Sequence, residues 1–427
     1  MKTKVTSERF FLRSPNINVC FRIQIDREFN PENFAAAMNI VCKCHPLLQC
    51  SIEKDEKNEA WFVPNIKPIE VEYFRREEMP DWKVWYNEKD SIPFDFPHEN
   101  LLRISAIVGD NQTEIIILGH HIIGDGMGYF TLSKDLLLAL DNRLEATPQI
   151  LPPNDTFIKG KQLSFLARLY IGSLNKKWRK DRRFFSENEY RDFFHEYRRS
   201  FSPQIYTASI PAEDLQRITT LCRSNGLSVN ELITAAFAFA FAADKKLRIG
   251  IAINARNELT TDPHSCMGNY VTGVSFKANC RSGDNFIASA KNIIEKLRRQ
   301  LTNPNKRHAI VNFLRLLDGD LIESIMFASY GNYQLPIPEQ IGKMILEGLT
   351  NRGLGISNLG RYEMNNYNTF CVSDLEFIGA AFPANIVSVG IITVNNKLNI
   401  CLRYNEADMD EDAAKNICTE AMKLMLG

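Results

Sequence analysis

The chain has 427 residues, of which 44% are hydrophobic and 24% charged, and its 51 basic side chains balance 51 acidic ones. This length favours two domains or two lobes, each with its own core. The balanced charge provides no global field for nucleic acid, so we expect no nucleic-acid partner. We find no signal-peptide pattern and no apolar run that spans a bilayer, which predicts a cytoplasmic protein.

The ten cysteines are too sparse for a disulfide scaffold in a chain of this length. One cluster, Cys42, Cys44, His45 and Cys50, has the residue types of a zinc site. It lacks a paired Cys-x-x-Cys spacing, and a strand-like segment follows it directly. We therefore expect reduced, packed cysteines and no metal.

Strand-like and helix-like patterns alternate in both halves of the chain, which predicts a mixed architecture. The predicted strands lie at 18–25, near 51–52 and 61–63, and at 101–108, 114–119, 206–210, 248–253, 386–394 and 398–404. The predicted helices lie at about 31–43 and 129–140, from about 228, and after Asp410.

Residues 141–205 depart from this alternation, since they are crowded with Lys, Arg and aromatic residues. We place the crossover between two lobes there, with an N-terminal lobe over 1–175 and a C-terminal lobe over 176–427. The basic run 176–183 has three interpretations. It could hold the phosphates of coenzyme A or phosphopantetheine, it could contact a membrane surface together with the apolar part of 163–184, or it could be a solvated crossover.

The segment His120–Gly126 is the most informative, because the chain has only seven histidines and two of them stand together at a strand end. An imidazole there can accept a proton from a hydroxyl or amine that attacks a carbonyl. Asp125 can orient the ring or pair with a cation. No serine or cysteine beside the motif offers a nucleophile, which favours direct transfer. The structural alternative is two packed histidines, with Asp125 capping the next helix.

The pattern His120-His121-x-x-x-Asp125-Gly126 resembles the signature shared by chloramphenicol acetyltransferases, nonribosomal peptide condensation domains, wax ester synthases and alcohol acetyltransferases. Weaker similarities follow the family's order in His45-Pro46-Leu47-Leu48, Pro93-Phe94-Asp95-Phe96, Leu101-Leu102-Arg103, Arg256, Met267-Gly268-Asn269-Tyr270 and Ser357-Asn358-Leu359-Gly360. The Asp-Phe-Gly-Trp-Gly sequence of the plant branch is missing, which disfavours that branch.

The resemblance implies an α/β (α+β) fold of two similar chloramphenicol-acetyltransferase-like lobes. Each lobe is a mixed sheet backed by helices, and the catalytic site lies in a tunnel between them. The second histidine of the signature, His121, is the implied base, and Asp125 is implied to pair with Arg256. His120 and Gly126 are implied to support the motif.

Three polar residues are secondary candidates for binding a developing oxyanion or positioning substrate. Ser357 and Asn358 could donate hydrogen bonds from a strand, or could simply be turn residues. Asn269 precedes a likely strand, and a structural role is the favoured interpretation.

The expected protein is an acyltransferase that moves an acyl group from a thioester to an alcohol or amine by histidine general-base catalysis. Acyl-coenzyme A or acyl-phosphopantetheine is the expected co-substrate, with no permanently bound cofactor. The expected partners are a small-molecule acceptor and an acyl carrier protein. Two alternatives remain open, namely a stand-alone condensation protein that forms an amide from carrier-bound substrates, and a non-catalytic acyl- or lipid-binding member of the fold.

Overall fold

The computed structural model describes residues 2–146, 163–242, 245–259, 267–280, 286–346 and 352–427. The strands are β1 Thr3–Lys4, β2 Val19–Ile25, β3 Cys50–Lys54, β4 Ala60–Pro64, β5 Val71–Arg75, β6 Leu102–Gly109, β7 Gln112–Gly119, β8 Pro203–Ile210, β9 Lys246–Asn254, β10 Val271–Asn279, β11 Gly353–Tyr362, β12 Val372–Ile378, β13 Asn385–Val394 and β14 Lys397–Asn405.

The helices connect and cover these strands. They are α1 Arg9–Leu12, α2 Pro31–Cys44, α3 Trp82–Asp90, α4 Gly126–Leu140, α5 Phe165–Trp178, α6 Glu187–Ser200, α7 Ala212–Ser224, α8 Val229–Ala242, α9 Phe286–Leu301, α10 Pro304–Arg307, α11 Ala309–Leu314, α12 Gly319–Tyr330, α13 Pro336–Ile345 and α14 Glu411–Leu426.

Two mixed sheets dominate the described part of the chain. The first has five strands in the order β12-β2-β7-β6-β5, and the second has six in the order β10-β9-β11-β13-β14-β8. Each is mixed because β5 runs parallel to β6 in the first, while β11 runs parallel to β9 and β13 in the second. Helices pack on both sheets, so the predicted fold class is confirmed.

Strand β12 joins the two halves of the chain, because it belongs to the first sheet although it lies late in the sequence. It pairs antiparallel with β2, with Phe377 opposite Phe21. The first sheet therefore contains residues from both sides of the predicted division. The lobe boundary at residues 175 and 176 itself stays a prediction.

Two hairpins show why the local sequence forms these strands. Asn395 and Asn396, between β13 and β14, have φ angles of 49° and 65°. This left-handed geometry suits a two-residue turn whose twist matches the strands, and asparagine tolerates it. Asn111 plays a similar part between β6 and β7, with a φ of 54°. The second hairpin delivers the end of β7 to the histidine pair.

The crossover segment contains α5 and α6, which the sequence did not predict as helices. Arg179 and Arg182 belong to the basic run and follow the end of α5. Arg179 pairs with Asp318 at 2.6 Å, and Arg182 pairs with Asp320 at 2.7 Å. These ion pairs fasten the end of α5 to the start of α12. Of the helices that the structure describes, none is both long and apolar enough to cross a membrane.

Candidate active site

A cavity of about 640 Å³ lies where the two mixed sheets meet. This volume falls within the range of small-molecule sites, which is about 300–1,000 Å³. Val19 and Phe377 line it from the first sheet, and Ile251 and Ile356 line it from the second. His121 is part of the lining, so the second histidine of the pair reaches the place where the sequence predicts a passage between lobes.

His121 is held by one contact from each side. Its ring stacks on Phe11, with centroids 4.5 Å apart and planes inclined by 10°. On the other side, Nδ2 of Asn269 donates to the backbone carbonyl oxygen of His121 at 2.8 Å and lies 3.2 Å from ring Nδ1. The side chain is only partly exposed. Among the described residues, none hydrogen-bonds to Nε2, which leaves that nitrogen available to a ligand.

The surroundings of His121 favour its neutral form. Burial lowers the pKa of the ring, while the Asp125 carboxylate and a hydrogen bond to the backbone of His121 itself act in the opposite direction. Removal of water is the largest of these influences, so the net shift is downward. The imidazole is therefore uncharged near neutral pH and can accept a proton.

His120 lies in the core of the first lobe and away from the cavity. Its ring meets the edges of Phe94 and Phe96, and Nδ1 accepts a hydrogen bond from the backbone of Ile122 at 3.2 Å. Burial lowers the pKa of His120 to about 3. The ring is thus neutral, and its hydrogen bond to Ile122 fixes the turn. The supporting role implied for His120 stays a prediction.

Asp125 and Arg256 form a buried two-pronged ion pair between the lobes, with N–O distances of 2.9 and 2.8 Å. The Asp125 carboxylate also accepts from the backbone N–H groups of Gly128 and Tyr270, both at 2.8 Å. The first of these bonds caps helix α4. The structure therefore combines the predicted cap with the predicted pair. These partners occupy both carboxylate oxygens, so Asp125 influences His121 through charge and through the shape of the turn.

Two glycines are required by close packing around the motif. A Cβ atom on Gly119, at the end of β7, would lie 2.1 Å from the hydroxyl of Tyr129. That hydroxyl donates to the carbonyl oxygen of His120 at 2.8 Å. A Cβ on Gly126 would lie 2.9 Å from Leu359. Larger residues would displace the turn that carries the histidines.

Two of the three secondary polar candidates lie at the cavity, and the third does not. Asn269 and Ser357 line the cavity. Asn358 donates to Asn230 at 3.1 Å and accepts from the backbone of Gly360 at 2.9 Å, so its amide is used within the second lobe. Of these three candidates, Asn269 is the one that contacts His121. The role of each in oxyanion binding stays a prediction.

Three residues near the site were not assigned to it from the sequence. Phe11 and Glu8 line the cavity from the start of the chain, and Glu8 is only 5% exposed. His45 is fully buried, accepts from the backbone of Met267 at 3.1 Å and lies 2.9 Å from Asp135. The pattern His45-Pro46 was a weak signal for this contact. Helix α1 is too short for any periodicity to indicate its position.

Cys42, Cys44, His45 and Cys50 have the residue types of a zinc site, but in the described residues no group of three potential ligands comes close enough to hold a metal ion. His45 uses its ring nitrogens for the contacts above, and the thiol of Cys50 donates to the carbonyl oxygen of Pro46 at 3.3 Å. Burial raises the pKa of Cys42 and of Cys50 to about 11, which keeps both thiols protonated.

Solved structures share this fold at low sequence identity. The first condensation domain of the CDA synthetase superposes with a TM-score of 0.69 and 11% identity, covering all of this chain and 95% of that one. The TRI3 trichothecene 15-O-acetyltransferase from Fusarium sporotrichioides gives 0.69 and 12%, covering all of this chain and 94% of the other. The epimerization domain from the third module of tyrocidine synthetase B gives 0.63 and 14%, covering all of this chain and 96% of that domain.

Sequence comparison points to the same family. A polyketide synthase-nonribosomal peptide synthetase from Aspergillus clavatus is 29% identical over 150 residues, which are 34% of this chain and 4% of that much longer protein. The family model of the condensation domain matches residues 8–317, which is more than half of the chain. This range includes the histidine motif, Arg256 and Asn269. The chain therefore belongs to the condensation-domain family, within the chloramphenicol-acetyltransferase-like acyltransferase superfamily.

Proposed function

We propose that this protein is an acyltransferase that moves an acyl group from a coenzyme A- or carrier-bound thioester to an alcohol or amine, with His121 as the general base. The observation that carries the proposal is the neutral His121 ring in the wall of the inter-lobe cavity, with Nδ1 turned to Asn269 and Nε2 open. Family membership supplies the reaction class, since most members are thioester-dependent.

The contacts of His121 leave one ring nitrogen for a substrate. Asn269 lies 3.2 Å from Nδ1, while no described residue hydrogen-bonds to Nε2. Nε2 can take a proton only in the neutral tautomer that carries its proton on Nδ1, since one nitrogen of a neutral imidazole donates and the other accepts. We assign this tautomer to the reactive ring, in which the Asn269 amide donates to the backbone carbonyl oxygen of His121 and not to the ring.

The proposed reaction moves one proton from the acceptor to His121 and then to the departing thiol. Nε2 of His121 takes the proton from the acceptor O–H or N–H as its oxygen or nitrogen bonds to the thioester carbonyl carbon. The carbonyl oxygen becomes an oxyanion, and Ser357, which lines the cavity, is the donor that we assign to it. When the C–S bond breaks, the imidazolium returns its proton to the departing sulfur. Mass and charge balance without any further reactant.

Thiol release provides the direct test. The protein is incubated with acetyl- and longer acyl-coenzyme A, with and without alcohols and amines, and free thiol is followed over time. We expect acceptor-dependent release that His121→Ala removes. A protein that binds these thioesters but never releases thiol would instead be a non-catalytic binder of acyl groups or lipids.

A stand-alone condensation protein is the second candidate, because the Aspergillus clavatus relative is a polyketide synthase-nonribosomal peptide synthetase. In that case the donor arrives on a carrier protein and the product is an amide. Replacing free thioester by loaded carrier in the same assay distinguishes the two. Turnover with the loaded carrier but not with the free thioester favours the condensation reaction. We propose an acyl carrier protein as partner only for that outcome.

A further inference from the structure

A basic groove on the second lobe opens beside the cavity that holds His121. Residues of β10, α9 and α10 line it, namely Phe276, Lys277, Lys296, Arg299, Gln300 and Lys306. Four of these six are basic and none is acidic. Gln300 and Lys306 also line the His121 cavity, so the groove leads directly into it.

Among the described residues, Glu295 is the one acidic partner of Lys296, Arg299 and Lys306. Lys296 donates to the backbone carbonyl oxygen of Lys277 at 3.1 Å. Arg299 lies 3.7 Å from Glu295, but the two side chains are 76% and 65% exposed, and an ion pair so exposed contributes little. Since basic and acidic residues are equal in number in the whole chain, the groove is a local excess of positive charge.

The basic run 176–183, the other candidate for phosphate binding, differs in this respect. Its three arginines, Arg179, Arg182 and Arg183, are paired with Asp318, Asp320 and Glu189. A guanidinium that already holds a carboxylate at 2.6–2.7 Å has little free charge to offer a phosphate. None of the residues 176–183 lines the His121 cavity, whereas the groove at α9 and α10 shares Gln300 and Lys306 with it, so the groove is the better site for a phosphate of the donor.

We propose that the basic groove binds the phosphate groups of the thioester donor and so marks the donor entrance. The inference rests on the proposed acyltransferase function. Condensation domains use carrier- or coenzyme A-bound thioesters, and both carry a phosphate at the end of the pantetheine arm. Lysine ammonium groups and an arginine fork are the side chains that bind such oxygens. With the phosphate in the groove, the arm points along the path that Gln300 and Lys306 share with the cavity.

Charge reversal at two exposed groove residues tests this assignment. The double variant Arg299→Glu/Lys306→Glu is compared with Arg223→Glu/Lys415→Glu, which makes the same net charge change away from the groove. Arg223 is a matched control, because it is also an exposed arginine in the last turn of its helix. The donors are acyl-coenzyme A, acyl-phosphopantetheine and the phosphate-free acyl-N-acetylcysteamine.

We expect the groove variant to raise the KM for acyl-coenzyme A roughly tenfold at low salt, with kcat little changed, and to leave the phosphate-free donor unaffected. The increase should shrink at high ionic strength, because salt screens exposed charges. A similar increase for acyl-phosphopantetheine places the pantetheine phosphate in the groove. An increase confined to acyl-coenzyme A places the nucleotide phosphates there. Equal changes for all three donors, or equal changes in the control variant, would overturn the proposal.

Calorimetric titration with coenzyme A alone separates this inference from the proposed function. If no donor is turned over but coenzyme A binds the wild type more tightly than the groove variant, the acyltransferase proposal fails and the phosphate site stands. If thiol release is efficient while both proteins bind coenzyme A equally, the phosphate site fails and the acyltransferase stands.

Discussion

The side-chain amide of Asn269 donates a 2.8 Å hydrogen bond to the backbone carbonyl oxygen of His121. Asn269 lies just before β10 of the second sheet, and His121 follows β7 of the first. One bond thus joins the two walls of the cavity at the proposed base. Correct orientation of the imidazole depends on the contact between lobes, which links the packing of the whole chain to its chemistry.

Asn269→Ala removes this bond, and we expect a lower kcat with KM nearly unchanged. If the barrier rises by the net free energy that one hydrogen bond contributes, about 1–1.5 kcal/mol, the rate falls roughly five- to tenfold. Steady-state kinetics with a saturating acceptor measure the effect. Asn225→Ala, at an exposed helix end, is the control and should change neither constant. A rise in KM alone would mean that Asn269 binds substrate and does not position His121.

His121→Ala should remove transfer and leave the fold intact. Loss of a general base costs about 10²–10⁴ in rate. The ring is partly exposed and its main packing partner is Phe11, so the melting temperature should shift only slightly. Thiol release and thermal unfolding on the same preparation test both parts. Full activity in this variant would rule out the proposed mechanism.

The pH dependence of the reaction should reflect the lowered pKa of His121. The neutral ring is the base, and its fraction falls as pH falls through that pKa, which lies below the ordinary 6.5. Activity should therefore be constant between about pH 7 and 8 and decline only at more acidic pH. Measurement of kcat/KM from pH 4.5 to 8, with circular dichroism at each pH to confirm folding, tests this. An inflection above 6.5 would contradict it.

The histidine motif and its flanking strand and helix could be predicted because their signals are local. A hairpin with a Gly-Asp-Asn-Gln turn, a histidine pair and a cap at Asp125 all lie within one short stretch of sequence. The Asp125–Arg256 contact spans 131 positions, yet the family resemblance indicated it. For the turn, the histidine pair and the cap, residue type restricts the local conformation, whereas the long-range pair could be expected only from the resemblance.

The rest of the cavity could not be predicted because tertiary packing creates it. Phe11 and Glu8 reach the site through α1, which has four residues and no periodicity. Strand β12 joins the first sheet across a separation of some 350 residues, as in the pairing of Phe377 with Phe21. The basic groove combines three elements, each carrying one to three of its six residues. None of these features leaves a pattern in a single segment.

Arg256→Ala should destabilise the protein strongly, because it leaves the Asp125 carboxylate buried without its cation. Breaking such a pair costs about 3–5 kcal/mol. Arg256 is 4% exposed and Asp125 is 2% exposed, so water cannot replace the lost bonds. Urea unfolding measures the change in the free energy of unfolding. For comparison, Arg299→Ala breaks the exposed pair with Glu295 and should cost about 0–1 kcal/mol. Equal losses in the two variants would show that the inter-lobe pair contributes little to stability.

The carboxyl group of Glu8 should make stability depend on pH. Burial raises its pKa above the ordinary 4.5, although Thr6 donates two hydrogen bonds to it. The native state therefore holds this proton more tightly than the unfolded chain, so the associated stability is complete below pH 4.5 and is lost as pH rises through the raised pKa. Glu8→Gln resembles the protonated form and does not ionise. Relative to wild type, the variant should gain stability with rising pH in urea unfolding at pH 4.5, 6 and 8.

Asp55→Asn provides a control of opposite sign. Hydrogen bonds from the backbone of Glu59 and from the Trp61 ring lower the pKa of Asp55, and they outweigh the effect of desolvation. Its contribution is therefore present above the ordinary value of 3.8 and is lost as pH falls through the lowered one. Asp55→Asn should thus be less stable than wild type at neutral pH, with a difference that shrinks in acid. If Glu8→Gln followed this second pattern, Glu8 would be ionised in the cavity and not held there as a neutral acid.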